Sequence, residues 1–208
     1  LEDLRNMLSN QDMAFINEDI SDLLNDSKEG LNRVAEIVKG LKLFSRVDSD
    51  EMQNHNINDC VRTTLAMVNN QLKYICTVET HLGNVPDVTI NVGKISQVIT
   101  NLLINAGQAI ESTGKNGKII ITTCTVNGFV ELRIEDTGCG IPASHLDKLF
   151  NPFFTTKPEG QGTGLGLSIS FGIAQEHGGN LTATSKEGEG SCFTLAIPLK
   201  NDDVEQQP

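Results

Sequence analysis

The sequence predicts an α+β fold: a two-layer α/β sandwich in which one mixed, mostly antiparallel sheet carries helices on one face, preceded by a helical hairpin that dimerises. Three observations predict it. Alternating strand-like runs meet at an Asn127-Gly128 turn, helical periodicities are interleaved with them, and a heptad seam occupies the first fifty residues.

The seam comes first. Leu24, Ser27, Leu31, Val34, Val38 and Leu41 recur at alternating spacings of three and four, with charged residues around them, and Ile16, Ile20 and Leu23 extend the stripe upstream. A hairpin this thin cannot bury its seam alone, so residues 1–52 are expected to be part of a helical domain that pairs with a second copy in a bundle; the bland alternative is a helix packed on its own domain. Next, 58–72 read as a helix, 75–80 as a short strand and 94–110 as a long, strongly apolar helix. Strands over 118–126 and 129–136 are joined by Asn127-Gly128, a hairpin dipeptide. A helix over 165–177 closes at Gly178-Gly179, and His177 there is expected to complement the helix dipole as an imidazolium. Strands near 181–185 and 192–199 complete a catalytic-size domain over 53–200, and 201–208 form a polar tail.

Composition excludes several classes. A net charge of −11 repels phosphate backbones, which argues against nucleic acid as a partner. No apolar run approaches the ~18 residues of a membrane span, so none is expected in this chain. Five cysteines, odd in number and without paired metal-ligand spacing, fit reduced thiols and a cytoplasmic setting.

Three segments carry candidate chemistry. Gln97, Asn101, Asn105 and Gln108 form a single polar line on the apolar helix; amide oxygens there suit Mg²⁺, and the bland alternative is a solvated face. In the 129–136 strand, Val130, Leu132 and Ile134 alternate with charged residues, so Asp136 continues the inward side. An inward carboxylate beside Gly138 and Gly140 suits a hydrogen bond from an exocyclic amine such as that of adenine; alone, it also reads as an Asp-Gly turn. Finally, glycines from Gly160 to Gly166 run into a helix start, where bare N–H groups suit phosphate, and 155–162 reads as a mobile lid.

The motifs occur in a telling order: 97–110, then DTGCGI at 136–141, NPFF at 151–154 and GTGLGL at 162–167. In that order, over 56–199, the chain resembles the ATP-binding domain of sensor histidine kinases, part of the wider GHKL group that includes gyrase-type ATPases. Asp26 to Val34 and Leu43 to Arg46 look like the second helix of such kinases' dimerisation and phosphoacceptor domain. The resemblance implies ATP and Mg²⁺ as cofactors, with Asn105 as metal ligand and Asn101 assisting. It implies that Asp136 accepts from the adenine amine, with Gly138, Gly140 and Ile141 shaping that pocket. Lys157 would reach phosphate, and Gly162, Thr163, Gly164, Leu165 and Gly166 would wrap the triphosphate. Gln108 stands where many relatives carry a basic residue, and Thr194 would assist Asp136 through a water. Phe150, Phe153 and Phe154 would anchor the lid, mainly as packing.

Two departures refine the expectation. Gyrase-like relatives carry a Glu four residues before the metal-binding Asn; here that position is Asn101, which cannot take a proton, so hydrolysis should be slow. The family's acceptor His has no counterpart in 1–54, since the histidines are His55, His81, His145 and His177. The expected function is therefore transfer of the ATP γ-phosphate to a His outside this chain, for relay to a response regulator's receiver domain. A GHKL ATPase, a Ser/Thr kinase and a nucleotide-sensing adapter stand as alternatives.

Overall fold

The computed structural model describes residues 51–157 and 162–199, together with 16, 18–21, 23, 24, 27 and 28. The chain divides into two units, Leu1–Arg46 with Thr156–Thr163, and Val47–Thr155 with Gly164–Pro208. Most of the expected helical hairpin, and the 201–208 tail, lie outside the described residues. Of the first unit's seam, Ile16, Ile20, Leu23 and Leu24 are helical and exposed.

The second unit runs β1 (Gln53–His55), α1 (Ile57–Leu72), β2 (Cys76–Leu82), β3 (Val88–Ile90), α2 (Val92–Glu111), β4 (Gly117–Val126), β5 (Phe129–Asp136), α3 (Ala143–Leu146), α4 (Gly166–Glu176), β6 (Asn180–Lys186) and β7 (Gly190–Pro198). Five strands form the sheet in the order β2-β4-β5-β7-β6; β2 and β4 are parallel and every other pair is antiparallel. Strands β1 and β3 pair only with each other. At three residues each they are too short to show alternation, which is why the sequence reading passes over them.

Local chemistry sets the boundaries. Asn56 caps α1, its side chain accepting from the Asn58 N–H, and Asn91 caps α2 by accepting from the Lys94 N–H at 2.9 Å. Asn127 and Gly128 both take positive φ, 49° and 82°, the backbone of a two-residue turn matched to strand twist. Helix α4 ends at Gly178, with φ 67°, whose neighbour Gly179 donates to the Ala174 carbonyl. Helices α1, α2 and α4 pack their apolar sides, including Ile57, Leu102, Leu103 and Ile173, over the inward residues Ile119, Ile121, Val130, Leu132, Ile134, Leu195 and Ile197. Burial of this continuous apolar layer is the main stabilising term, and it fixes the strand alternation that aims Asp136.

One capping expectation is corrected. His177 is buried, its Nε2 accepts from the Asn91 N–H at 3.0 Å, and its Nδ1 lies 2.7 Å from the Ile173 carbonyl. Only a neutral ring protonated at Nδ1 satisfies both contacts, so His177 ties the end of α4 to the start of α2 as an imidazole, not as an imidazolium.

Candidate functional site

Asp136 ends β5 on the inward side, 7% exposed. One carboxylate oxygen accepts from the Gly138 N–H at 2.8 Å. Burial raises its pKa above the ordinary carboxylate value, while the backbone donors of Gly138 and Ser191 pull the other way. The segment after it is clamped on two sides. On one, the Cys139 N–H donates to the Ala109 carbonyl of α2 at 3.1 Å, and a Cβ on Gly138 would run into Ala109. On the other, a Cβ on Gly140 would meet the Lys186 carbonyl, and the Ile141 N–H donates to Ser185 Oγ at 2.8 Å. The bare backbone at 138–140 is thus held between α2 and the β6–β7 hairpin.

Sequence reasoning misses Ser191 and proposes Thr194 in its place. The β5–β7 register pairs Asp136 with Ser191 and Arg133 with Thr194. Ser191 is buried on the inward side and lies 3.0 Å from Ser185 Oγ. Thr194 shares the outward side with Cys192 and Ala196, three rungs away, so it does not face Asp136. The polar residue beside Asp136 is Ser191. Only the strand register identifies it, and the sequence of β7 alone does not contain that register.

The amide line lies on α2. Asn101 and Asn105 are half-buried, and Asn101 lies against α4; Gln108, nearer the helix end, is exposed. Asn101 Nδ2 donates to Ser170 Oγ of α4 at 3.0 Å, and Asn105 Nδ2 makes a long 3.5 Å bond to Asn101 Oδ1. Asn105 lies one turn before Ala109, so a single stretch of α2 carries both the amide pair and the carbonyl that holds the loop after Asp136. Leu165 precedes α4, Gly166 is its first residue, and the backbone of Gly164 packs on Phe153. Lys157, Gly162 and Thr163 belong to the other unit.

The three phenylalanines Phe150, Phe153 and Phe154 differ. Phe150 packs on Phe171 with ring centres 5.1 Å apart, and Phe154 meets His145 edge-on at 5.5 Å. Phe153 departs from the packing role expected of it: it is 72% exposed with φ 67°.

Residues 90–201 match the family of histidine kinase-, DNA gyrase B- and HSP90-like ATPases. The chain belongs to that family. Its domain is of the sensor histidine kinase type, as its relatives are. The sensor histidine kinase ZraS of Escherichia coli is 36% identical over 174 residues, covering 81% of this chain and 35% of that protein. Among solved structures, the catalytic domain of the histidine kinase ThkA is 35% identical with a TM-score of 0.62, covering 71% of this chain and 95% of that one. ThkA in complex with the response regulator protein TrrA gives 30% identity and a TM-score of 0.64, covering 86% of this chain and 51% of that one. The chain thus spans about a third of the length of the curated relative ZraS.

The donor set fits the family's nucleotide. A buried carboxylate backed by bare backbone stands at one end of the α2 segment, and two half-buried amides stand at the other. The amide oxygen of Asn105 is of a kind that suits Mg²⁺, a hard cation that takes oxygen ligands.

Proposed function

We propose that this chain is the ATP-binding catalytic portion of a sensor histidine kinase, transferring the γ-phosphate of ATP to a histidine outside the chain. One observation carries the reading: Asn105 and Ala109, a turn apart on α2, link the amide pair to the loop behind Asp136. The Asp136 carboxylate accepts from the adenine amine, with Ser191 beside it and Gly138, Gly140 and Ile141 shaping the pocket. Asn105, assisted by Asn101, presents an amide oxygen to Mg²⁺, which neutralises phosphate charge when bound. The N-terminus of α4, with Gly164, Leu165 and Gly166, faces the phosphates with backbone N–H groups and the positive end of the helix dipole. Gln108 adds to the phosphate contacts. No carboxylate stands at position 101 to activate water, so the phosphate survives for transfer.

The partners follow from the same reading. The exposed helical stripe Ile16, Ile20, Leu23 and Leu24 supports a homodimer through the N-terminal helices. A response regulator's receiver domain takes the phosphate from the histidine. The described cysteines are all unpaired, in keeping with a cytoplasmic setting, and no described helix is long and apolar enough to cross a membrane.

The test mixes the chain with Mg-ATP and an acceptor-helix fragment containing a histidine followed by an acidic residue. Phosphate should appear on the fragment, acid-labile and base-stable, with little phosphate released when the fragment is absent. Multi-turnover hydrolysis without the fragment would favour an ATPase, and nucleotide binding without transfer would favour an adapter.

A further inference from the structure

We propose that Ser185 is a positioning residue for the base: it holds the proton of Ser191, so that the pocket beside Asp136 offers lone pairs only. Such a pocket selects a ring carrying an amine over one carrying a carbonyl at the same place. The proposal rests on the ATP reading above and gives a part in it to Ser185, on β6, whose hydroxyl meets three partners. Two of them have a fixed sense. The Gly190 carbonyl, 2.7 Å away, can only accept, so it takes the single Ser185 proton. The Ile141 N–H, at 2.8 Å, can only donate, so it occupies one of the two lone pairs. One lone pair is left for Ser191 Oγ at 3.0 Å, and that contact is a hydrogen bond only if Ser191 donates. A hydroxyl between two hydroxyls could point either way; this one is ordered by a carbonyl and an amide that cannot reverse.

The consequence appears across the β5–β7 rung, where Ser191 is buried and pairs with Asp136. With its proton given to Ser185, Ser191 Oγ keeps lone pairs and no donor. The ionised Asp136 carboxylate is also purely an acceptor, and one of its oxygens is already engaged by the Gly138 N–H. A Ser191 hydroxyl turned the other way would have two effects. It would fill a further acceptor place on that carboxylate, or it would supply a donor to a carbonyl on the ring. Ser185 withholds the proton from both. An amine therefore meets acceptors, whereas a carbonyl meets only other lone pairs and loses its hydrogen bonds to water without replacement.

Calorimetry of the full chain with ADP and with inosine diphosphate, which carries a carbonyl in place of the amine, tests it. The wild-type chain should prefer ADP. Ser185→Ala should narrow that preference by about three- to tenfold, the scale of one hydrogen bond. Ser185→Thr, which keeps the hydroxyl, should restore it. Ser191→Ala should narrow the preference by itself, and adding Ser185→Ala to it should narrow it no further, since the two act through one proton. Equal losses for both ligands in Ser185→Ala, which mark a merely structural role, overturn the proposal, as does an unchanged preference in Ser191→Ala. So does a further narrowing when Ser185→Ala is added to Ser191→Ala. A wild-type chain that binds both diphosphates alike overturns this proposal while the nucleotide reading stands. One that binds neither overturns the nucleotide reading and this one with it.

Discussion

Gly190 sits so close to Asp136 that a Cβ built on it would collide with the Asp136 carbonyl oxygen. Its φ of 123° is also closed to L side chains. The turn that starts β7 therefore sets how near the second strand comes to the carboxylate. Gly190→Ala is expected to cost about 2 kcal/mol or more, because strain and a backbone clash add. It should also weaken nucleotide binding. Gly188 is the internal control: its φ is 81°, yet nothing lies within 4 Å of its missing Cβ, so Gly188→Ala should cost about 1 kcal/mol. Urea denaturation of the two variants, with calorimetry on the folded material, checks the contrast.

Asp136 supplies a pH test with opposite signs for stability and binding. Its pKa in the folded chain is raised above the ordinary 3.8 by burial, so the charged form is disfavoured by folding. The native state thus gains relative stability as pH falls from neutral through the raised value, and the effect is complete below 3.8. Asp136→Asn should therefore be at least as stable as wild type at neutral pH, with the difference shrinking in acid. Binding runs the other way, since only the ionised carboxylate is purely an acceptor for the adenine amine. Wild-type affinity should drop on acidification through the raised pKa, and Asp136→Asn should bind weakly at every pH. Paired thermal melts and calorimetry over a pH series read both.

The contrast between Asp136 and its neighbour marks what one sequence can disclose. The inward aim of Asp136 follows from period-two alternation within β5, a local pattern, and the Asn127-Gly128 hairpin follows from two residues. Ser191 is different, because its place beside Asp136 depends on the β5–β7 register, a pairing of strands far apart in the chain. The amide line on α2 was visible from spacing, but whether it met water or α4 was a question of packing between segments far apart in the chain. Strands β1 and β3 stabilise only each other, and three residues carry no period.

His177 lies 86 positions from the backbone N–H it accepts, so its role too was hidden in the sequence. His177→Ala should remove a buried acceptor of that N–H, at a cost of about 1–3 kcal/mol. His177→Lys would place a donor against a donor and should destabilise further. Neither change touches Asp136 or Asn105, so nucleotide affinity of the folded fraction should stay within about twofold, on the usual near-additivity of distant sites. Denaturant titration with parallel binding measurements separates the two effects. A large drop in affinity at unchanged stability would contradict the assignment.

Phe153 holds a backbone conformation that suits asparagine or glycine and presents a ring that is 72% exposed. For a bulky L residue the left-handed region costs about 1–2 kcal/mol, and so exposed a ring recovers little of that by burial. Asparagine tolerates this region because its short side chain bonds locally. Phe153→Asn should therefore stabilise the domain by roughly 0.5–1 kcal/mol, the usual scale for relieving a backbone misfit. Phe150→Ala is the opposite case, since that ring packs on Phe171, and it should destabilise by about 2 kcal/mol or more. Chemical denaturation of the two variants reads the sign directly. If both destabilise alike, the Phe153 ring is buried in solution and its backbone strain is offset by packing.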